Sequence, residues 1–212
     1  MSLLNRKYLF VHINKSGGGV ITNHMSNNGN VEITGKHRSL TKMLQCAKQL
    51  CNKGINELTV FTVVRNPWER MLSMYLFYHS SNYNAPEFFS GDSEIDNNFN
   101  NWIKWIYSDK FPRYKKHGVI NIFDYCFSNQ LNWISNSDGE LIENVKILRF
   151  ENLKTELQEL FINEMKLKNI DLETKIHPTK HNHYTSYYTN ETKELVLNHY
   201  KRDIKFFNYK FD

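Results

Sequence analysis

The chain has 212 residues, 40% of them hydrophobic and 14% aromatic, with a formal net charge of +5. That length and composition fit one folded domain, residues 1–212, with a full core, and exclude a disordered chain. No run approaches eighteen apolar residues, so no membrane span is expected, and the charge is too small and dispersed to argue for a nucleic-acid partner.

The first expected strand is Lys7–Ile13. It runs into Lys15-Ser16-Gly17-Gly18-Gly19, and a helix of about two turns follows from Val20 to Ser26. Asn27-Asn28-Gly29-Asn30 ends that helix, and Val31–Thr34 reads as a short second strand. After the loop Gly35-Lys36-His37-Arg38, Ser39 is placed to cap a helix with Leu40, Met43, Leu44, Ala47 and Leu50 on one face. Leu58–Val64 is the strongest strand signal. Its near-continuous apolar, β-branched run predicts a central parallel strand covered on both faces. Arg65-Asn66-Pro67 closes it, and proline at a first helical position predicts a helix over Trp68–Tyr78. Ile95, Phe99, Trp102, Ile103 and Ile106 recur at helical spacing. Asn121–Phe127 is read as a short helix, and Asp138-Gly139 as the turn of a hairpin between Trp133-Ile134 and Leu141-Ile142. Val145–Phe150 is the last core strand and Glu151–Leu167 the helix after it. Asp171–Tyr188 is a polar, histidine-rich loop, and a final helix begins near Thr189. Strands alternating with helices predict an α/β fold with a central parallel sheet covered by helices.

Two stretches carry the chemistry. Strand, glycine turn and helix start aim backbone N–H groups and a helix N-terminus at an anion, and Lys15 adds a point charge beside them. The lysine and serine precede the glycines, so the order of a Walker A loop is absent. The second stretch places Arg65 at the end of a central strand and Ser73 two turns into the next helix, a guanidinium and a hydroxyl suited to a phosphate. Ligands of parallel sheets bind beyond the carboxyl ends of the strands, where Lys15 and Arg65 belong.

Together these segments resemble the sulfotransferase superfamily, in particular its carbohydrate-type, family 2-like branch. The family's loop has the form Pro-Lys-Thr-Gly-Gly-Thr-Ser; here it reads Asn14-Lys15-Ser16-Gly17-Gly18-Gly19-Val20. The family's second motif, Arg-Asn/Asp-Pro followed by Arg, Ser and aromatic residues, reads Arg65-Asn66-Pro67-Trp68-Glu69-Arg70-Met71-Leu72-Ser73-Met74-Tyr75. The resemblance continues through Gln130, Asp138-Gly139 and Leu148–Leu153 to Tyr187-Tyr188 and the aromatic tail, in the same order.

The resemblance implies a P-loop-type three-layer fold. It also implies transfer of a sulfuryl group from 3′-phosphoadenosine 5′-phosphosulfate to a hydroxyl-bearing acceptor, such as a carbohydrate, with adenosine 3′,5′-bisphosphate as product and no metal. Ser16, Gly17, Gly18, Gly19 and Val20 would cradle the 5′-phosphosulfate, and Lys15 would neutralise charge on its leaving oxygen. Arg65 and Ser73 would hold the 3′-phosphate, with Lys180 and His181 closing over the nucleotide. His37 is the first choice for the base, since an imidazole can take a hydroxyl proton near neutral pH; His12 is the reserve. Two positions where the family carries hydroxyls are Gly19 and Val20, with Thr22 as a substitute. The alternatives are a nucleotide-binding protein that kept the fold and lost efficient turnover, and a small ATP-dependent kinase. His177, His181 and His183 have partly ligand-like spacing without a carboxylate or cysteine cluster, so no metal site is expected. Cys46, Cys51 and Cys126 lack such spacing too. With no apolar signal core in Met1–Lys7, reduced thiols and a cytoplasmic location are the expectation. No pattern specifies an oligomeric state.

Overall fold

The computed structural model describes residues 2–32, 37–80, 88–111, 115–116, 119–120, 126–172 and 181–212. In chain order they form β1 (Ser2–Leu4), β2 (Tyr8–Val11), α1 (Gly18–Ser26), β3 (Val31–Glu32), α2 (Leu40–Cys51), β4 (Thr59–Val64) and α3 (Pro67–Ser80). Then come α4 (Ser93–Asp96), α5 (Phe99–Ile106), the two-residue strands β5 (Lys115–Lys116) and β6 (Val119–Ile120), and β7 (Val145–Arg149). The last helices are α6 (Leu153–Leu157), α7 (Asn190–His199) and α8 (Lys201–Phe207). Two compact units emerge, Met1–Arg65 with Gln130–Pro178, and Asn66–Asn129 with Thr179–Asp212.

The first unit is built on a five-stranded sheet of order β3-β1-β2-β4-β7. β4 runs parallel to both β2 and β7, so the expected parallel core is present with β4 at its centre. Alternate residues of these strands face opposite sides. Tyr8, Phe10, Phe61 and Val63 meet Ile21 and Met25 of α1, and Leu157, Leu160 and Phe161 of α6 and the turn after it. Phe10 stacks on Phe61 at 5.1 Å, and Phe161 meets Phe61 edge-on at 6.1 Å. Each such buried side chain contributes ~1.5–3 kcal/mol over leaving it in water. Leu9, Val11, Val60 and Val64, on the opposite face, are equally buried. A strand buried on both faces needs the near-continuous apolar run that the sequence supplies.

The sheet also has an antiparallel side that the sequence reading did not expect. β1 pairs with both β2 and β3, and joins β2 through the three-residue loop Asn5–Lys7, in which Asn5 and Arg6 have φ of 51° and 52°. This is the left-handed pair that matches strand twist in a tight hairpin. The usual sign, Asn-Gly, is missing because Arg6 stands where glycine would. The Asn5 carboxamide accepts from the Asn30 N–H at 3.0 Å and so ties the turn to the start of β3. The expected hairpin around Asp138-Gly139 is smaller than read. Gln130–Ile134 is a 3₁₀ turn, and only Ser135 and Leu141 form a bridge. The helix expected over Glu151–Leu167 starts at Leu153 and widens to π geometry over Gln158–Glu164.

In the second unit, Asn66 caps α3. Its side-chain oxygen accepts from the Trp68 N–H at 3.1 Å, while Pro67 takes the first helical position, where its missing N–H costs nothing. The core of this unit gathers Trp68, Met71, Leu72, Met74, Trp102, Ile103, Val196 and Tyr200. The single helix read from Ile95 to Ile106 is two, because the Asn98 side chain accepts from the N–H groups of Asn100 and Asn101 and starts α5 anew. The helix read over Asn121–Phe127 lies mostly outside the described residues.

Candidate active site

The functional loop leaves the carboxyl end of β2 and enters α1. Lys15 and Gly17 take left-handed backbone conformations, with φ of 60° and 79°. Gly17 is needed twice, since a Cβ there would also stand 2.7 Å from Leu153 Cδ2. Gly18 is needed for space alone: a Cβ would come within 1.9 Å of His12 Nε2. Gly17 is the N-cap of α1, and the first turn carries no acidic residue, so its amide donors and dipole favour an anion. Ser16 is 1% exposed, and its hydroxyl has no hydrogen-bond partner among the described residues. Buried hydroxyls are ordinarily bonded. An oxyanion at this turn would supply the missing acceptor, so the loop fits a phosphate or sulfate group.

Arg65 ends the first unit, directly after β4, and is 7% exposed. The buried Gln130 holds its backbone from both sides: Gln130 Oε1 accepts from the Arg65 N–H at 2.9 Å, and Gln130 Nε2 donates to the Arg65 carbonyl at 2.9 Å. One side chain thereby replaces a ladder partner where the sheet stops. The Arg65 guanidinium lies 3.9 Å from the Phe150 ring centroid and donates through Nη1 to the Lys15 carbonyl at 3.0 Å. Burial, and secondarily the Arg65 charge, lowers the Lys15 pKa from 10.5 to about 8. A lysine desolvated beside a second cation is in a setting that a nearby anion would stabilise.

The two candidate bases are neighbours. The rings of His12 and His37 are 4.6 Å apart at 51°, and His37 Nδ1 lies 3.2 Å from the His12 carbonyl oxygen. His37 has φ of 58°, a conformation that costs a non-glycine residue of order 1–3 kcal/mol unless its surroundings hold it. The structure therefore brings Lys15, Ser16, Gly17, Gly18, His12, His37 and Arg65 into one connected network. Gly19 and Val20 belong to the first turn of α1. The Thr22 hydroxyl donates back to the carbonyl oxygens of Gly18 and Gly19, at 2.9 and 3.1 Å, in the manner of a helical threonine.

The remaining candidates lie in the second unit. Ser73 is a buried residue of α3. Arg70, between the two named motif residues, is fully buried and donates to the carbonyl oxygens of Cys126 and Ser128; it holds the core. Burial pushes the Cys126 thiol up to about 12, which keeps it protonated. His181 Nδ1 lies 2.6 Å from the Asn182 carbonyl oxygen and His183 Nδ1 2.9 Å from Thr185 Oγ1. Lys180 and His177 lie outside the described residues. Among the described residues no three histidine, cysteine or carboxylate groups stand together as metal ligands would. The sequence reading gave no role to Gln130 or Phe150. Gln130 entered only as part of a resemblance, and a glutamine 65 residues from its partner leaves no local pattern to read.

A mixed sheet with a parallel core, and with a glycine turn, a desolvated lysine and an arginine at the carboxyl ends of that core, is an α/β arrangement suited to an anion. Its membership is narrower than that: residues 5–210 match the model of the Sulfotransferase family, and the chain belongs to that family. Its class of reaction is accordingly sulfuryl transfer. No curated protein and no solved structure matches the chain.

Proposed function

We propose that the protein moves a sulfuryl group from 3′-phosphoadenosine 5′-phosphosulfate to an acceptor hydroxyl, with a carbohydrate as the favoured acceptor class. The observation that carries this reading is the buried Ser16 hydroxyl, without a partner among the described residues, set in a glycine turn beside Lys15. The donor, when bound, supplies an activated sulfuryl group on its 5′-phosphate. Ser16 and the backbone N–H groups through Val20 orient that end. Lys15 places its ammonium against the leaving oxygen as charge gathers there, which is worth most in the transition state. His37 takes the acceptor's hydroxyl proton as the new S–O bond forms and the old one breaks. Arg65 and Ser73 hold the 3′-phosphate, a role carried over from the family's second motif, and the same resemblance assigns Lys180 and His181 to the 3′-phosphate or ribose.

A second reading has its own support. Gly19 and Val20 carry no hydroxyl, and the Thr22 hydroxyl is turned into α1, so a protein that binds the nucleotide and turns over slowly also fits. Calorimetric titration with adenosine 3′,5′-bisphosphate and with ATP decides the nucleotide; preference for ATP would sink both readings. Incubation with radiolabelled donor and a panel of sugar acceptors then separates them. Transfer lost in Lys15→Ala and His37→Ala, each with native circular dichroism, supports catalysis. Transfer unaffected by either change refutes the assigned roles.

A further inference from the structure

Two histidines lie side by side in the first unit, and only one base is needed. We infer that His12 is a positioning residue for His37, fixing the tautomer of that ring with its carbonyl oxygen and the plane of the ring with its own imidazole. This rests on the proposed role of His37 as the base.

The tautomer follows from a single contact. His37 Nδ1 sits 3.2 Å from the His12 carbonyl oxygen. A carbonyl oxygen only accepts, so Nδ1 carries the hydrogen, and in the neutral imidazole the lone pair then falls on Nε2. A base that must take a proton through Nε2 is thereby held in the form that can do so. The plane of the ring follows from packing. His37 lies between the His12 ring, 4.6 Å away, and Trp133, which meets it edge-on at 6.2 Å and is fully buried. His12 is itself fixed. Phe10 stacks on it at 5.4 Å and 24°, and its Nε2 edge fills the space that a Cβ on Gly18 would take. Phe10, His12, His37 and Trp133 form one chain of ring contacts, and the column ends on a fully buried tryptophan. The left-handed backbone of His37 is held by that column. The same packing separates the roles of the two histidines. His12 presents its Nε2 edge to the Gly18 backbone, so its flat ring and its main-chain oxygen are what it contributes.

The test uses the whole chain with ¹⁵N-labelled histidine, free of nucleotide, in three forms: wild type, His12→Ala and His12→Phe. Long-range proton–nitrogen correlation reads which His37 nitrogen carries the hydrogen. We expect the Nδ1–H form in wild type and in His12→Phe; His12→Ala keeps the carbonyl but loses the ring that holds His37 against it, so there the two tautomers should mix. With donor and acceptor present, His12→Ala should lose about tenfold or more in kcat while the donor KM stays put, as misplaced groups do. Both variants keep the main-chain carbonyl; His12→Phe also keeps a flat ring and should recover kcat to within about threefold. An Nε2–H tautomer for His37 in wild type overturns the inference. So does a loss in His12→Phe as large as in His12→Ala, because His12 would then act through its nitrogen atoms. If the wild type transfers no sulfate to any acceptor, the proposed activity fails, and the tautomer measurement still decides the positioning role on its own.

Discussion

Replacing Ser16 with alanine should move stability and nucleotide binding in opposite directions. The side chain is 1% exposed, and its hydroxyl has no partner among the described residues. A buried hydroxyl left unbonded costs ~1–3 kcal/mol by the measure of protein mutants. Alanine removes that group, sacrifices no hydrogen bond and leaves a gap of one oxygen atom, so the nucleotide-free protein should be unchanged or up to ~1 kcal/mol more stable. In the complex the hydroxyl donates to a charged oxygen, a contact worth ~1.5–3 kcal/mol, so affinity for adenosine 3′,5′-bisphosphate should fall about tenfold to a hundredfold. Urea unfolding gives the first quantity and calorimetric titration the second. A destabilisation above ~1 kcal/mol in the free protein would mean that the hydroxyl has a structural partner. An unchanged affinity would mean that the nucleotide does not reach this turn. Either result defeats the argument.

Gln130→Ala should destabilise the protein by about 2–6 kcal/mol, because two buried backbone groups of Arg65 lose their partners at ~1–3 kcal/mol each; denaturant midpoints check it, and a cost under ~1 kcal/mol would show the backbone satisfied elsewhere. For Lys15, the folded pKa of about 8 lies below the ordinary 10.5, so between those values the unfolded chain holds more protons on this group and stability of the nucleotide-free protein should rise with pH. Lys15→Met should flatten that rise, and wild-type affinity for adenosine 3′,5′-bisphosphate should decline above pH 8 as the ammonium is lost.

Much of this was legible in the sequence, for reasons that differ by element. β4 showed itself because a strand buried on both faces is near-continuously apolar, and Thr59–Val64 is, with the buried Thr62 hydroxyl donating to the Val11 carbonyl. The glycine turn showed itself because its constraints are steric: φ of 79° at Gly17, and a His12 ring where a Gly18 side chain would stand. What stayed hidden was set by partners distant in the chain. β1 forms because β2 and β3 offer it edges, through a turn without glycine. Gln130 acts on Arg65 from a 3₁₀ turn and Phe150 from the end of β7, and nothing in their neighbours announces it. The break at Asn98 was hidden for a local reason. Apolar spacing continues through it, while the short side chain competes for the N–H groups of the next turn.

The same contrast gives Gly19 its interest. The family resemblance puts a hydroxyl there, and the structure keeps the position exposed in the first turn of α1 with its backbone on the ordinary, negative side of φ. Glycine is therefore not demanded by conformation, unlike at Gly17. Nor does Thr22 make up the loss, since its hydroxyl already donates to the carbonyl oxygens of Gly18 and Gly19. Gly19→Ser should then improve two things at once. Helix propensity favours serine over glycine by ~0.5 kcal/mol, a modest gain in stability. A hydroxyl beside the first-turn amides would add a bond to a charged oxygen, raising affinity for adenosine 3′,5′-bisphosphate by about tenfold. The two effects are separable, because urea unfolding of the free protein reads only the first. Higher stability with unchanged affinity would place the bound phosphate away from the first turn of α1 and would leave Ser16 and Lys15 to hold it from the strand side alone.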